Sequence, residues 1–281
     1  MEHAILSTVT FLESLQEAKI FNNPYFNSTL EYLATHQNSI YCFLVGVVFF
    51  LALTNQLRMI ILNGITNKRL ARVATERPRI LNEGQEKRIL VLGDSTGYGT
   101  GADKVEDTLL GRFAHDFPNV EVNNYAVNGS VTNNLIKQLE KVHDKNYNLT
   151  IISSGGNDTW KMTNLHEVER DLRIALTMAQ KITGNNIALI IYNNSASGPV
   201  FPFFVRGLIL KRTRQINEIY TRVGNEFNLQ TVPIFLPGEK CRLNFFSRDG
   251  LHPSSEGYRI MYIRLWAVLY QYRFNYKLRE Y

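Results

Sequence analysis

The sequence predicts an α/β fold: a three-layer α/β/α sandwich with a parallel five-stranded sheet of flavodoxin-like order, preceded by an N-terminal helical membrane segment. Three observations predict it. Short apolar, β-branched runs recur at residues 88–92, 120–127, 149–153, 187–192 and 231–235. Helix-length periodic segments separate them, at 105–117, 132–143, 165–182, 204–227 and 255–270. Parallel strands need crossover connections and bury both faces, so this alternation places helices on each side of a parallel sheet. Upstream of all of it, residues 40–53 form an unbroken apolar run.

In chain order, residues 1–39 form an N-terminal region in which the periodic stretch 5–20 reads as an amphipathic helix, lying on an interface or packing on the domain. Residues 40–62 read as a transmembrane helix. A spanning helix needs about 20 mostly apolar residues. The run contains Tyr41, Phe43, Phe49 and Phe50 but no charge, and its apolar character resumes at Leu57 after Thr54, Asn55 and Gln56. The other reading is a buried helix of a soluble domain. Lys19 is the sole Lys or Arg before the segment, whereas Arg58, Lys68, Arg69, Arg72, Arg77 and Arg79 follow it. The bias predicts a single span with the bulk of the chain on the cytoplasmic side. The run lies too far from the start, and lacks the basic leader, to read as a cleaved signal peptide. Residues 63–87, charged and broken by Pro78 and Gly84, read as a basic linker, 88–271 as the α/β domain, and 272–281 as a basic, aromatic tail.

With 281 residues the chain suffices for one sizeable α/β domain and an appendage. Its two cysteines, Cys42 and Cys241, make neither a disulfide framework nor a metal site. The net charge of +6 suits an anionic partner. With a membrane segment in the same chain, an acidic bilayer is expected rather than nucleic acid.

Chemistry concentrates at the ends of the predicted strands. The first strand leads into Gly93-Asp94-Ser95, and a serine there sits on a tight turn at the carboxyl edge of the sheet, where α/β enzymes place nucleophiles. Alone, the tripeptide is ordinary turn chemistry. In a 2-1-3-4-5 order the third strand is its neighbour, and that strand ends in Ser154-Gly155-Gly156-Asn157-Asp158. An Asn side-chain N–H there can donate to a developing oxyanion, although Gly-Gly-Asn-Asp is also a common capping loop. The second strand leads into Asn128-Gly129-Ser130, whose Gly129 can offer a backbone N–H or simply form a turn. After the fifth strand, Asp249 and His252 stand three apart in Asp-Gly-Leu-His-Pro-Ser. The carboxylate can hold one ring nitrogen of His252 and leave the other to take the proton of Ser95. The bland reading is an Asp-Gly turn and a helix start. Of the other histidines, His115, His143 and His166 fall on or beside predicted helices, and His3 and His36 precede the domain.

These four blocks, in this order, resemble the SGNH hydrolases, the GDSL-type esterases and lipases, over about residues 88–270. The resemblance implies Ser95 as nucleophile, His252 as base and Asp249 as its orienter. It also implies an oxyanion hole built from the N–H of Ser95, Gly129 and Asn157. The first block reads Gly-Asp-Ser-Thr where the family's name motif has Leu, and the context of its second block, which holds Gly129, varies. The implied reaction is acyl transfer to water through a serine ester, with no metal and no cofactor. A lipid or lysophospholipid ester is the expected substrate, because of the membrane segment and the apolar loop 198–205, which lines an acyl pocket, dips into the interface or packs in the core. Acyl transfer or thioester cleavage would use the same residues. Two other readings compete: a dinucleotide site at Gly97-Tyr-Gly99-Thr-Gly-Ala102, which lacks the acidic ribose ligand, and a non-catalytic membrane-attached scaffold.

Overall fold

A computed structural model describes residue 28 and residues 36–143, 146–192, 198–235 and 243–271. The periodic stretch 5–20, His3, Cys241 and the tail 272–281 lie outside the described residues. The strands are β1 (Ile80–Leu81), β2 (Lys87–Gly93), β3 (Val120–Asn124), β4 (Leu149–Ser153), β5 (Ile187–Ile191) and β6 (Gln230–Pro233). The helices are α1 (Gln37–Thr75), α2 (Ser95–Tyr98), α3 (Leu109–Asp116), α4 (Asn134–Leu139), α5 (Gly156–Trp160), α6 (Leu165–Thr183), α7 (Phe203–Glu226) and α8 (Ser255–Gln271), with a 3₁₀ turn at Leu243–Phe245.

The six strands form one sheet in the order β1-β3-β2-β4-β5-β6. The five strands expected from the apolar runs are β2 to β6, all parallel and in the flavodoxin-like order. The sheet is nevertheless mixed, because β1 adds to its edge, antiparallel to β3, pairing Ile80 with Asn123 and Leu81 with Val122. Two residues between Pro78 and Gly84 present no run to recognise. They are held instead by tertiary bonds: Asn82, at φ +51°, donates from Nδ2 to the carbonyls of Ala114, Phe117 and Val120, and Gly84 N donates to Glu121 Oε2 at 2.7 Å.

Side-chain alternation along β2 builds the layers. Ile89 and Val91 face a core with Phe113 of α3 and Tyr258, Met261 and Leu265 of α8. Leu90 and Leu92 face the opposite core, with Leu135 of α4, Leu172 of α6 and Tyr220 of α7. All of these side chains are fully buried or nearly so. At about 25 cal/mol per Å² of apolar surface removed from water, such two-sided burial holds β2 at the centre of the sheet.

The chain divides into two units at Arg58–Met59. Residues 37–58 of the first unit are the amino-terminal part of α1, in which Phe43 and Phe49 are 69% and 68% exposed. By length and composition, the stretch Tyr41–Thr75 is able to cross a membrane. In the second unit α1 continues through residues 59–75, into the stretch expected as linker, and stops at Thr75, shortly before Pro78. The residues after it dock onto the α/β domain: Arg77 donates to the carbonyls of Gly99 (2.5 Å) and Ala102 (2.6 Å), and Arg79 to that of Ala126 (2.6 Å).

Candidate active site

Ser95 occupies the first position of α2, where β2 leaves the sheet. The backbone turns there through Gly93 at φ +141°, and a Cβ on Gly93 would lie 1.9 Å from the Ser153 carbonyl oxygen, so only glycine fits. Asp94 N donates to that carbonyl at 2.9 Å, and the Asp94 carboxylate caps α2 by accepting from Thr96 N at 2.9 Å. The turn is thus fastened to β4 on one side and presents Ser95 at the carboxyl edge.

From the other end of the chain, residues 245–254 form a loop closed on itself. Phe246 bridges Pro253, Ser247 N donates to the His252 carbonyl at 2.8 Å, and Ser254 N to that of Phe245 at 2.8 Å. Inside it Asp249 is fully buried. Its Oδ1 accepts from Ser247 Oγ (2.7 Å), Leu251 N (2.9 Å) and His252 N (3.0 Å). Its Oδ2 lies 2.5 Å from His252 Nδ1, and His252 Nε2 lies 2.9 Å from Ser95 Oγ. The pair face each other across a tight turn through Gly250, at φ +66°, rather than across a helical turn. Burial pushes the Asp249 carboxyl up, but the His252 hydrogen bond and charge, the Leu251 N–H and the Ser247 hydroxyl outweigh it and hold it below its ordinary value. An ionised Asp249 accepts the proton of Nδ1, so the lone pair of Nε2 faces the Ser95 hydroxyl.

Asn157, on α5 beyond β4, lines the same cleft as Ser95. Its Nδ2 donates to the Ser130 carbonyl at 2.8 Å and its Oδ1 accepts from Trp160 Nε1 at 3.0 Å. This fixes the amide's orientation and leaves one N–H unpaired among the described residues. Gly129 is exposed, at φ +76°; its N–H has no partner among the described residues, and its carbonyl accepts from Lys161 Nζ at 2.7 Å. It does not line the cleft itself, but Ser130 joins it to Asn157. Trp160 escaped the sequence reading, although its i+3 spacing from Asn157 was the available signal.

The cleft encloses about 690 Å³, counting its solvent-open part. Trp160, Phe201, Phe235, Phe245, Phe246 and Leu251 give it apolar walls, and Phe201 comes from the apolar loop 198–205. Behind Ser95, burial pushes the Asp94 carboxyl up to about 7, against the Thr96 N–H and the His252 charge. Burial likewise keeps the phenol of Tyr192, hydrogen-bonded to Ser153 Oγ, protonated far above its ordinary value. The glycines of the dinucleotide-like run serve the fold. Gly99 (φ +92°) caps α2, and a Cβ on Gly101 (φ +100°) would lie 2.4 Å from the Pro253 carbonyl oxygen. Among the described residues no three His, Cys, Asp or Glu side chains gather in a metal-holding group.

Residues 91–260 match the model of the GDSL-like lipase/acylhydrolase family. The chain belongs to that family. Solved structures with the same fold include a lipolytic protein of the G-D-S-L family from Veillonella parvula, 20% identical, TM-score 0.51, covering 66% of this chain and 98% of its own. TesA is 21% identical, TM-score 0.53, covering 65% and 98%. A variant of Axe2, an acetyl xylan esterase from Geobacillus stearothermophilus, is 17% identical, TM-score 0.52, covering 67% and 97%. At these identities the likeness shows the fold alone. No curated protein matches the sequence. As a GDSL-type esterase/acylhydrolase, the protein has an ester substrate implied by its family, and the Asp249–His252–Ser95 chain lies within the matched residues.

Proposed function

We propose that the protein hydrolyses a carboxylic ester with a hydrophobic acyl part, a lipid or lysophospholipid ester, through an acyl-enzyme on Ser95. The carrying observation is the hydrogen-bonded chain from Asp249 to His252 to Ser95, opening on an apolar cleft. In the first half-reaction Ser95 Oγ forms a bond to the ester carbonyl carbon while its proton passes to His252 Nε2. The oxygen, now anionic, accepts from the N–H groups of Ser95, Gly129 and Asn157. As the intermediate collapses the ester C–O bond breaks, and the alcohol leaves with the proton from His252. Water then gives its proton to His252 and attacks the acyl carbon, releasing the acid and restoring Ser95.

The aromatic walls and Phe201 favour an apolar acyl chain, and α1 favours substrates presented at a bilayer. We read α1 as a single membrane anchor, with the charge bias placing the domain on the cytoplasmic side. Covalent labelling of Ser95 by a fluorophosphonate, and a panel of esters varying acyl length and head group run against a Ser95→Ala control, test the activity. An unlabelled protein, or Ser95→Ala at full activity, would sink it. Resistance to alkaline carbonate extraction tests the anchor. Extraction as a soluble protein would refute it.

A further inference from the structure

We propose that Gln138 is a positioning residue for the oxyanion site, coupling the turn that carries Ser95 to the loop that carries Gly129. The inference rests on the reading of Ser95 as nucleophile. It starts from an incompletely paired strand end. Parallel pairing of β3 with β2 stops at Asn124, opposite Val91, and beyond it Tyr125 N donates to Val91 O at 2.8 Å. Gly93 has the same parity as Val91, so its N–H and carbonyl point to the β3 side, where the chain after β3 supplies Val127 N to the Gly93 carbonyl at 3.1 Å but no backbone acceptor to its N–H. A primary amide completes the pairing. Gln138 Oε1 accepts from Gly93 N at 2.8 Å, and Gln138 Nε2 donates to Gly93 O at 2.8 Å. The side chain thus copies the two-point pairing of a strand neighbour, from a helix, with only 3% of its surface exposed.

The second Nε2 hydrogen reaches Ser130 Oγ at 3.3 Å. Ser130 follows Gly129, and its carbonyl accepts from Asn157 Nδ2 at 2.8 Å. One amide therefore joins Gly93, two residues before Ser95, to the residue that touches both other proposed oxyanion donors. Oxyanion donors act because their positions are fixed before charge develops. Val127 N also donates to Gly93 O, at 3.1 Å, and Ser130 N to Val127 O, at 3.2 Å, so the backbone ties Ser130 to Gly93 through Val127, and Gln138 adds a direct side-chain brace at Ser130 Oγ. Gln138 touches no reacting atom and works by holding the three donors in register.

The test uses the full-length protein with p-nitrophenyl butyrate as substrate and a trifluoromethyl ketone as tetrahedral analogue. Gln138→Met keeps the volume and removes all three bonds. We expect kcat to fall on the order of 10²-fold, the scale of an ångström-sized misplacement, with KM little changed and the ketone weakened by a similar factor. Gln138→Glu supplies a pH readout: its protonated carboxyl again accepts from Gly93 N and donates to Gly93 O, whereas the carboxylate cannot donate. Its activity relative to the unsubstituted protein at the same pH therefore rises as pH falls. If Gln138→Met does not fold, Gln138→Glu decides. A ratio constant across pH, or a folded Gln138→Met with unaltered kcat and only a lowered Tm, overturns the proposal. Ser95→Ala is run alongside. Its full activity would overturn the nucleophile reading instead, while an inactive Ser95→Ala beside a normal Gln138→Met overturns Gln138 alone.

Discussion

The two halves of the site are built differently. Ser95 and Asn157 stand at the ends of adjacent parallel strands, so the ladder from Ile89↔Leu149 to Gly93↔Ser153 sets their separation. Asp249 and His252 belong to a loop that hydrogen-bonds chiefly to itself and meets the Ser95 side at the Nε2–Oγ contact and in packing on Gly101. One half is positioned by the core of the domain. The other is positioned by one buried carboxylate that organises its own turn, because Asp249 accepts from three groups of the loop before it reaches the ring. A mutation in the strand half should therefore act on donor geometry, and one in the loop half on the state and place of the imidazole.

The sharpest separation comes from Asp249→Asn. The amide oxygen still satisfies the loop donors, so folding is retained, but an Nδ2 donor now faces the ring and reverses its tautomer. His252 would then present N–H to Ser95. We expect kcat on a short-chain aryl ester to fall about 10⁴-fold with little change in Tm. A loss near tenfold would mean that Asp249 merely shapes the loop. In the strand half, Asn157→Ala removes one donor and leaves the imidazole untouched. Its expected cost is about 10² to 10³ in kcat, with labelling of Ser95 slowed rather than abolished. Equal losses for the two substitutions would erase the distinction between the halves.

Gly101→Ala probes the seam between them. Its Cβ would fall 2.4 Å from Pro253 O and 2.8 Å from His252 Cβ, at a φ of +100° that side chains rarely adopt. Moving the loop by about an ångström should cost on the order of 10²-fold in kcat and lower Tm, without altering Asn157. Normal kinetics in this variant would show that the loop tolerates displacement.

The same difference decides what the sequence makes legible. Strand runs and the Gly-Asp-Ser turn announce the strand half, because burial on both faces writes continuous apolar segments. The 249–252 pair is legible as chemistry from its spacing, yet its fastening is not. Ser247, Gly250 and Gly101 act through bonds and close approaches that leave no periodicity. For the same reason β1, only two residues long, and the short helices α2 and α5 were not anticipated. Trp160 and Gln138 look like ordinary surface and helix residues until the fold brings them to Asn157 and Gly93. Chain-distant polar contacts are invisible to local pattern, whereas two of the proposed site residues, Ser95 and Asn157, follow closely on strand ends.

The smallest expected effect lies beneath the strand half, at Asp94. Its carboxyl is buried and holds its proton up to about 7, whereas in the unfolded chain a carboxyl of this type releases it near pH 3.9. Between those values the folded state binds more protons, so its stability declines as pH rises from about 4 to about 7 and is flat for this group above that. Asp94→Asn keeps a cap oxygen for Thr96 N and carries no charge. It should remove this part of the decline, so that Tm measured at pH 5 and pH 8 differs less in the variant than in the unsubstituted protein. The loop half predicts the opposite slope, since Asp249 is held below its ordinary value and its contribution is present above about 3.9 and lost as pH falls below it. Two buried carboxyls, one in each half, thus oppose each other in pH, and an Asp94→Asn variant whose Tm difference matches that of the unsubstituted protein would assign the neutral-pH decline to another group.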